Sequence, residues 1–280
     1  HISRFKERYF VNSRGKKLYS LAYQKPTADA TILFLHEYSL HTGFYKEFFQ
    51  KLHRNNCNIF GFDFEGFGQS DGMRADIREF DYFIDDIRQF YDLIKQECNG
   101  GPIILAGHGM GAVAAIIAQK HFNSKINGLL LMGPLFRYSS YVPKIIQDIA
   151  RYVSGVAGTF PILSLDFNLL SKDEQVLKKI ESDELIYKGK LRARMASNIV
   201  NAGEKALQEI HSISIPTLLL NGKKDKLTRT DEIAKIEENG TQKNLEVQWL
   251  DNAGHTLMME QGSQRVIDSI GSWKSRNLLK

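Results

Sequence analysis

Short apolar runs alternate with amphipathic stretches along most of the chain. TILFLH (31–36), CNIFGFD (57–63), PIILAG (102–107), INGLLLMG (126–133), PTLLLNG (216–222) and LEVQWL (245–250) are short, rich in β-formers and bounded by Gly, Pro or Asn, which predicts strands. ERYFV and KLYSLAY near the start predict a hairpin. Helical patterns lie between the runs, at 43–55, 81–97, 110–122, 230–239 and 263–276. In one of them Phe80, Phe83, Ile84, Ile87, Phe90, Tyr91 and Ile94 recur at helical spacing. The later strands are unbroken hydrophobic runs, as expected where helices cover both faces of a parallel sheet. The alternation therefore predicts an α/β fold with a mostly parallel, eight-stranded sheet.

One interval breaks the rhythm. Between MGP (132–134) and SIPTLLL (214–220) no clear strand is visible. Val142, Ile145, Ile146, Ile149, Val153 and Val156 form an apolar stripe, followed by SKDEQVLKKI and RARMASNIVNAGEKALQEI. This reads as an insertion of short helices at the carboxyl edge of the sheet, where such folds place ligands. The expected division is a core of residues 1–133 and 206–280 with a helical cap, or lid, of residues 134–205.

The chain has 280 residues, 42% of them apolar, enough for one large domain with an insertion. Its net charge of +5 is spread as scattered lysines and arginines among acids, without interleaved aromatics, so no nucleic-acid partner is expected. No signal-peptide pattern and no run of about 18 apolar residues appear. Cys57 and Cys98 lie outside any CxxC or metal-like spacing and read as free thiols in a reducing, intracellular compartment, cytoplasmic or organellar. No metal cluster is evident. GFGQSDG (66–72) follows a strand but lacks the helix opening and later acid of a dinucleotide loop, so neither metal nor cofactor is expected.

The chemistry concentrates in LAGHGMGAVAAI (105–116), which runs from a strand into a helix. Gly107-His108-Gly109-Met110-Gly111 has the form glycine, any residue, nucleophile, any residue, glycine, but its central position is Gly109 where Ser, Cys or Asp would react. Asp225 follows the strand PTLLLNG, and His255 follows LEVQWL. The chain order is nucleophile position, acid, base. In such a set the carboxylate fixes the imidazole tautomer, and the imidazole takes the nucleophile's proton. His108, beside the turn, reads as structural.

With these residues in hand the chain resembles the monoacylglycerol lipase / lysophospholipase branch of the α/β-hydrolases. LHEYSLHTGFY is similar to that family's HG-x-x-x-H-S-x-x-Y segment, GFDFEGFGQSDGMR to its D-x-x-G-H-G-x-S-x-G-x-R loop, and LAGHGMGA to GHSMGG. SDELIYKGKL and AGHTLMME match further stretches, so the likeness spans roughly residues 20–275. The resemblance implies an α/β-hydrolase fold and an oxyanion hole built from the backbone N–H groups of Tyr38 and Met110. It also implies a cap shaping an acyl-chain tunnel, and an acyl-ester or lipid-like ligand. Peripheral membrane contact through the 142–156 stripe is a further implication.

Two departures fall at one site. Gly109 stands for the serine, and Glu37 stands for the glycine after His36. Glycine has no atom with which to attack. A carboxylate at 37 either turns to solvent or opposes the negative charge that an oxyanion hole must stabilise. These departures point to a pseudoenzyme kept as a binding or structural subunit, with room for a protein assembly. The alternative is an ester hydrolase present as a nucleophile-to-glycine variant, in which serine at 109 should restore turnover. A third expectation is a water molecule in the vacated space, activated by His255.

Overall fold

The computed structural model describes residues 4–123, 125–152, 158–240 and 243–279, with side chains left undescribed at 149–152. An opening antiparallel pair, β1 (Arg4–Val11) and β2 (Lys17–Gln24), confirms the hairpin. The other sheet strands are β3 (Ala30–Leu35), β4 (Cys57–Phe62), β5 (Ile103–His108), β6 (Gly128–Met132), β9 (Thr217–Gly222) and β10 (Leu245–Leu250). Together they form an eight-stranded sheet in the order β1-β2-β4-β3-β5-β6-β9-β10. Strands β3, β4, β5, β6, β9 and β10 run parallel.

Helices fill the expected intervals: α1 (Lys46–Arg54), α2 (Asp81–Ile94), α3 (Met110–Gln119), α7 (Thr230–Glu238) and α8 (Ser263–Asn277). Every residue of β3, β4, β5 and β6 is buried, which explains why these strands read as continuous apolar runs rather than alternating ones. Helix α3 is buried all round except its last residue, and its small Gly and Ala side chains let it lie tight against β5. Parallel strands deliver all their carboxyl ends to one edge of the sheet. The loops after β3, β5, β9 and β10, which carry residues 37, 109, 225 and 255, therefore meet there.

The segment between β6 and β9 departs from expectation in two ways. It holds a small antiparallel pair, β7 (Pro161–Ser164) and β8 (Lys190–Arg192), besides α4 (Lys144–Tyr152), α5 (Glu174–Ser182) and α6 (Ala193–Glu209). PILS and KLR are too short to show an alternating pattern, so the pair is invisible in sequence. Helix α6, at 17 residues, is not short, and it runs across position 206. In the apolar stripe Val142 and Ile146 are buried but Ile145 is exposed; Val153 and Val156 lie outside the described residues, as does the side chain of Ile149. The insertion is fastened to the sheet edge: His41 Nε2 lies 2.8 Å from Asp183 Oδ2, Arg194 pairs with the buried Asp76, and the Tyr187 amide donates to the Ser39 carbonyl at 2.9 Å. Among the described residues no helix is long and apolar enough to cross a membrane.

Candidate active site

The turn at Gly109 is built by close approach. A Cβ on Gly107 would sit 2.2 Å from the backbone of Gly111, and one on Gly111 would sit 2.1 Å from the Leu35 carbonyl oxygen. Only glycine lets β5, the turn and α3 pack this tightly. Gly109 has φ 55° and ψ −112°, a conformation costing residues with a side chain on the order of 1–3 kcal/mol. Its amide donates to the Met132 carbonyl at 3.0 Å.

His255 and Asp225 meet as expected. The imidazole Nδ1 lies 2.8 Å from Asp225 Oδ2. Asp225 is held in turn by the Leu227 and Thr228 amides, which donate to Oδ1 at 2.9 and 3.1 Å, and by the Thr228 hydroxyl, which donates to Oδ2 at 2.9 Å. Both side chains are fully buried.

The space a nucleophile would fill is occupied, and by Glu37. A Cβ built on Gly109 would lie 1.4 Å from Glu37 Oε2, the length of a C–O bond, and 2.1 Å from Glu37 Cδ. That oxygen therefore stands where a serine Oγ would stand, and it lies 2.6 Å from His255 Nε2. The other carboxylate oxygen, Oε1, accepts from the Tyr38 amide at 2.5 Å and the Met110 amide at 2.9 Å. These are the two donors expected to form the oxyanion hole, and Met110 opens α3, so the hole also sits at a helix N-terminus. Glu37 is 1% exposed, so the expectation that its side chain turns to solvent is corrected. With Oε2 beside Gly109 and 2.6 Å from His255 Nε2, the expected water has no place beside His255 either.

Burial disfavours a charge on His255, but Asp225 and Glu37 more than offset this and push its pKa up to about 10. It is an imidazolium donating from both ring nitrogens. His36 and His108 go the other way. Burial pushes His36 down to about 4; its Nδ1–H donates to the Glu37 carbonyl at 2.8 Å, and its Nε2 accepts from the Phe64 amide at 3.0 Å. Burial, then the charge on His255, hold the His108 pKa well below the ordinary range. Its Nε2 lies 2.9 Å from the His255 carbonyl, which can only accept, so Nε2 carries the proton and Nδ1 accepts from the Tyr45 hydroxyl at 2.8 Å. The Tyr45 oxygen accepts the Glu37 amide at 3.2 Å. A relay thus ties the backbone of residue 37 to that of residue 255. His108 is structural, as expected. Tyr45 closes the LHEYSLHTGFY segment matched in sequence, but that match shows nothing of its part in this relay.

Glu37, His108 and His255 place ligand atoms within 4.8 Å of one another, the arrangement among the described residues closest to a metal site. They do not suit one. Both His108 nitrogens are engaged, and the 2.6 Å between Glu37 Oε2 and His255 Nε2 is a hydrogen-bond separation, well short of the roughly 3.3 Å between two ligands that a tetrahedral ion holds at about 2.0 Å.

Above Glu37 the void bordered by Tyr38, Leu135, Tyr138, Leu165 and Phe167 measures about 10 Å³, room for one water at most. Two clefts of about 520 Å³ adjoin it, one sharing Leu135 and Tyr138 with this void and the other Leu170, but neither is lined by Glu37, Gly109, Asp225 or His255. The acyl tunnel that the resemblance implies is not open at this site among the described residues.

Known proteins share this framework. A family model described as serine aminopeptidase, S33, matches residues 26–262. The monoglyceride lipase of Homo sapiens is 27% identical over 275 residues, covering 96% of this chain and 90% of that protein. The monoacylglycerol lipase of Mycolicibacterium smegmatis is 22% identical over 242 residues, covering 86% of each. Among solved structures, a soluble variant of the Saccharomyces cerevisiae monoglyceride lipase in complex with a substrate analog superposes with a TM-score of 0.84 at 17% identity, covering 100% of this chain and 97% of that one. The shared architecture is the α/β-hydrolase fold.

Proposed function

Since the chain belongs to the serine aminopeptidase S33 family of α/β-hydrolases and has monoglyceride lipases among its relatives, we propose that it is a catalytically silent member of that family, retained as a binding or structural subunit. One observation carries this reading: a single side chain, Glu37, takes up the nucleophile's position, the oxyanion donors and the catalytic imidazole together.

Each consequence follows from ordinary chemistry. Acyl transfer needs an attacking oxygen whose proton the imidazole accepts. Here the oxygen belongs to a carboxylate, and the imidazole is already protonated. The tetrahedral intermediate needs two vacant N–H donors. Here both are spent on an anion. Among the described residues, the void at this place, bordered by Tyr38, Leu135, Tyr138, Leu165 and Phe167, is about 10 Å³, too small to admit a substrate carbonyl.

The retained Asp225–His255 pair favours a second reading, a lipase-type ester hydrolase that has lost only its serine. Glu37 weighs against it, because serine alone does not fit beside that carboxylate.

The test is direct. The purified chain is expected neither to label with a fluorophosphonate nor to hydrolyse short-chain p-nitrophenyl esters above the buffer rate. Turnover that disappears in His255→Ala would overturn the proposal.

A further inference from the structure

We infer that the pocket between Tyr38, Met110 and His255 is a receptor for a single carboxylate group, kept filled in this chain by Glu37, and that it accepts a small free carboxylate when that side chain is removed. The inference rests on the reading above and deepens it, since the side chain that closes the site is at the same time its ligand.

The geometry is that of a bound anion rather than a stray acidic residue. Two converging backbone amides reach Oε1, at 2.5 and 2.9 Å, and one ring N–H reaches Oε2 at 2.6 Å. One of the amides begins a buried helix, whose dipole favours negative charge. Two of these donors are held by contacts of their own. Met110 is fixed by the Gly107–Gly111 contact, and His255 is fixed by Asp225 and by His108 behind it. The pocket is thus preorganised, which is the condition for an anion to bind without a large ordering cost.

The size of the ligand follows from the same coordinates. Removing the side chain to Cα frees the volume of its two methylenes and carboxylate. A free acid must also keep van der Waals distance from the backbone of residue 37, so formate and acetate fit. The void beyond adds only about 10 Å³, so hexanoate does not fit. In the native chain the tethered carboxylate has an effective concentration no free acid matches, so external carboxylates leave it unaffected.

Thermal unfolding of Glu37→Gly in sodium acetate, formate, hexanoate and chloride at equal ionic strength and pH tests this. Acetate and formate are expected to raise the melting temperature of Glu37→Gly by roughly 5 °C at about a hundredfold excess over Kd. Hexanoate and chloride are expected to do nothing, as is acetate added to the native chain or to Glu37→Gln, whose amide still fills the pocket. The added substitution His255→Gln should abolish the shift. Acetate acting equally on the native chain and Glu37→Gly, or on neither, overturns the inference. If Glu37→Gly folds only with an anion present, its refolding yield in acetate against chloride decides: recovery in acetate supports the inference, and failure in both overturns it. A native chain without ester turnover, together with no acetate effect on Glu37→Gly, would sink this inference alone, whereas His255-dependent ester turnover would sink the proposed function.

Discussion

Serine placed at position 109 alone is expected to confer no ester hydrolysis, whereas Glu37→Gly with Gly109→Ser is expected to confer it. The single variant fails for a steric reason. Its new Cβ would fall 1.4 Å from Glu37 Oε2, so the carboxylate must be expelled from three hydrogen bonds into a space with room for one water at most. The burial of a displaced charge and the overpacking together are expected to lower its stability by about 3–5 kcal/mol. The φ of 55° adds strain of its own. In the double variant the serine hydroxyl takes the place of Oε2, the Tyr38 and Met110 amides are vacated, and His255 loses the anion that keeps it protonated. Turnover of monoacylglycerols or p-nitrophenyl esters is expected to exceed that of the native chain by at least about 10³-fold. Turnover in Gly109→Ser alone, or a folded double variant that neither turns over nor labels with a fluorophosphonate, would contradict the blocking role of Glu37.

The second large effect is on stability. Removing the imidazolium with His255→Gln leaves Asp225 and Glu37 buried without the cation between them, and an uncompensated buried charge costs about 3–5 kcal/mol. The same linkage shapes the pH profile. The folded-state pKa of His255, about 10, lies above its ordinary value of 6.5. Its contribution is therefore complete below about pH 6.5 and is lost as pH rises through 10, on the order of several kcal/mol in all. His36 has the opposite sign: pushed down to about 4, it refuses a proton that the unfolded chain accepts, so stability also falls on the acid side. Urea unfolding from pH 5 to 10 should show the alkaline loss in the native chain and a flattened limb in His255→Gln. An unchanged limb, or a cost below about 1 kcal/mol, would refute the ion triad.

Much of this architecture is legible in the sequence. Strong aliphatic runs with Gly or Pro at their ends locate the sheet strands. The glycine pentad, with Asp225 and His255 after two later strands, locates the reacting corner, because parallel strands share one carboxyl edge. The two departures, Gly109 and Glu37, can be seen to belong together. Which way Glu37 points cannot, since that depends on side-chain torsions and on the separation of two loops 72 positions apart. The pair is one of complementary volumes: a side chain lost at 109 and a longer one gained at 37. That exchange hints at contact but does not prove it. The β7–β8 pair escapes a sequence reading because three or four residues carry too little period, and the relay role of Tyr45 escapes it because a motif match places a residue without showing the partners of its hydroxyl.

The Glu37 carboxylate also gathers distant parts of the chain. Through it and its partners, residues 37–38, 110, 225 and 255 are held at a single point. Opening that point breaks contacts of four separate loops together, so it is expected to be coupled to unfolding of the domain.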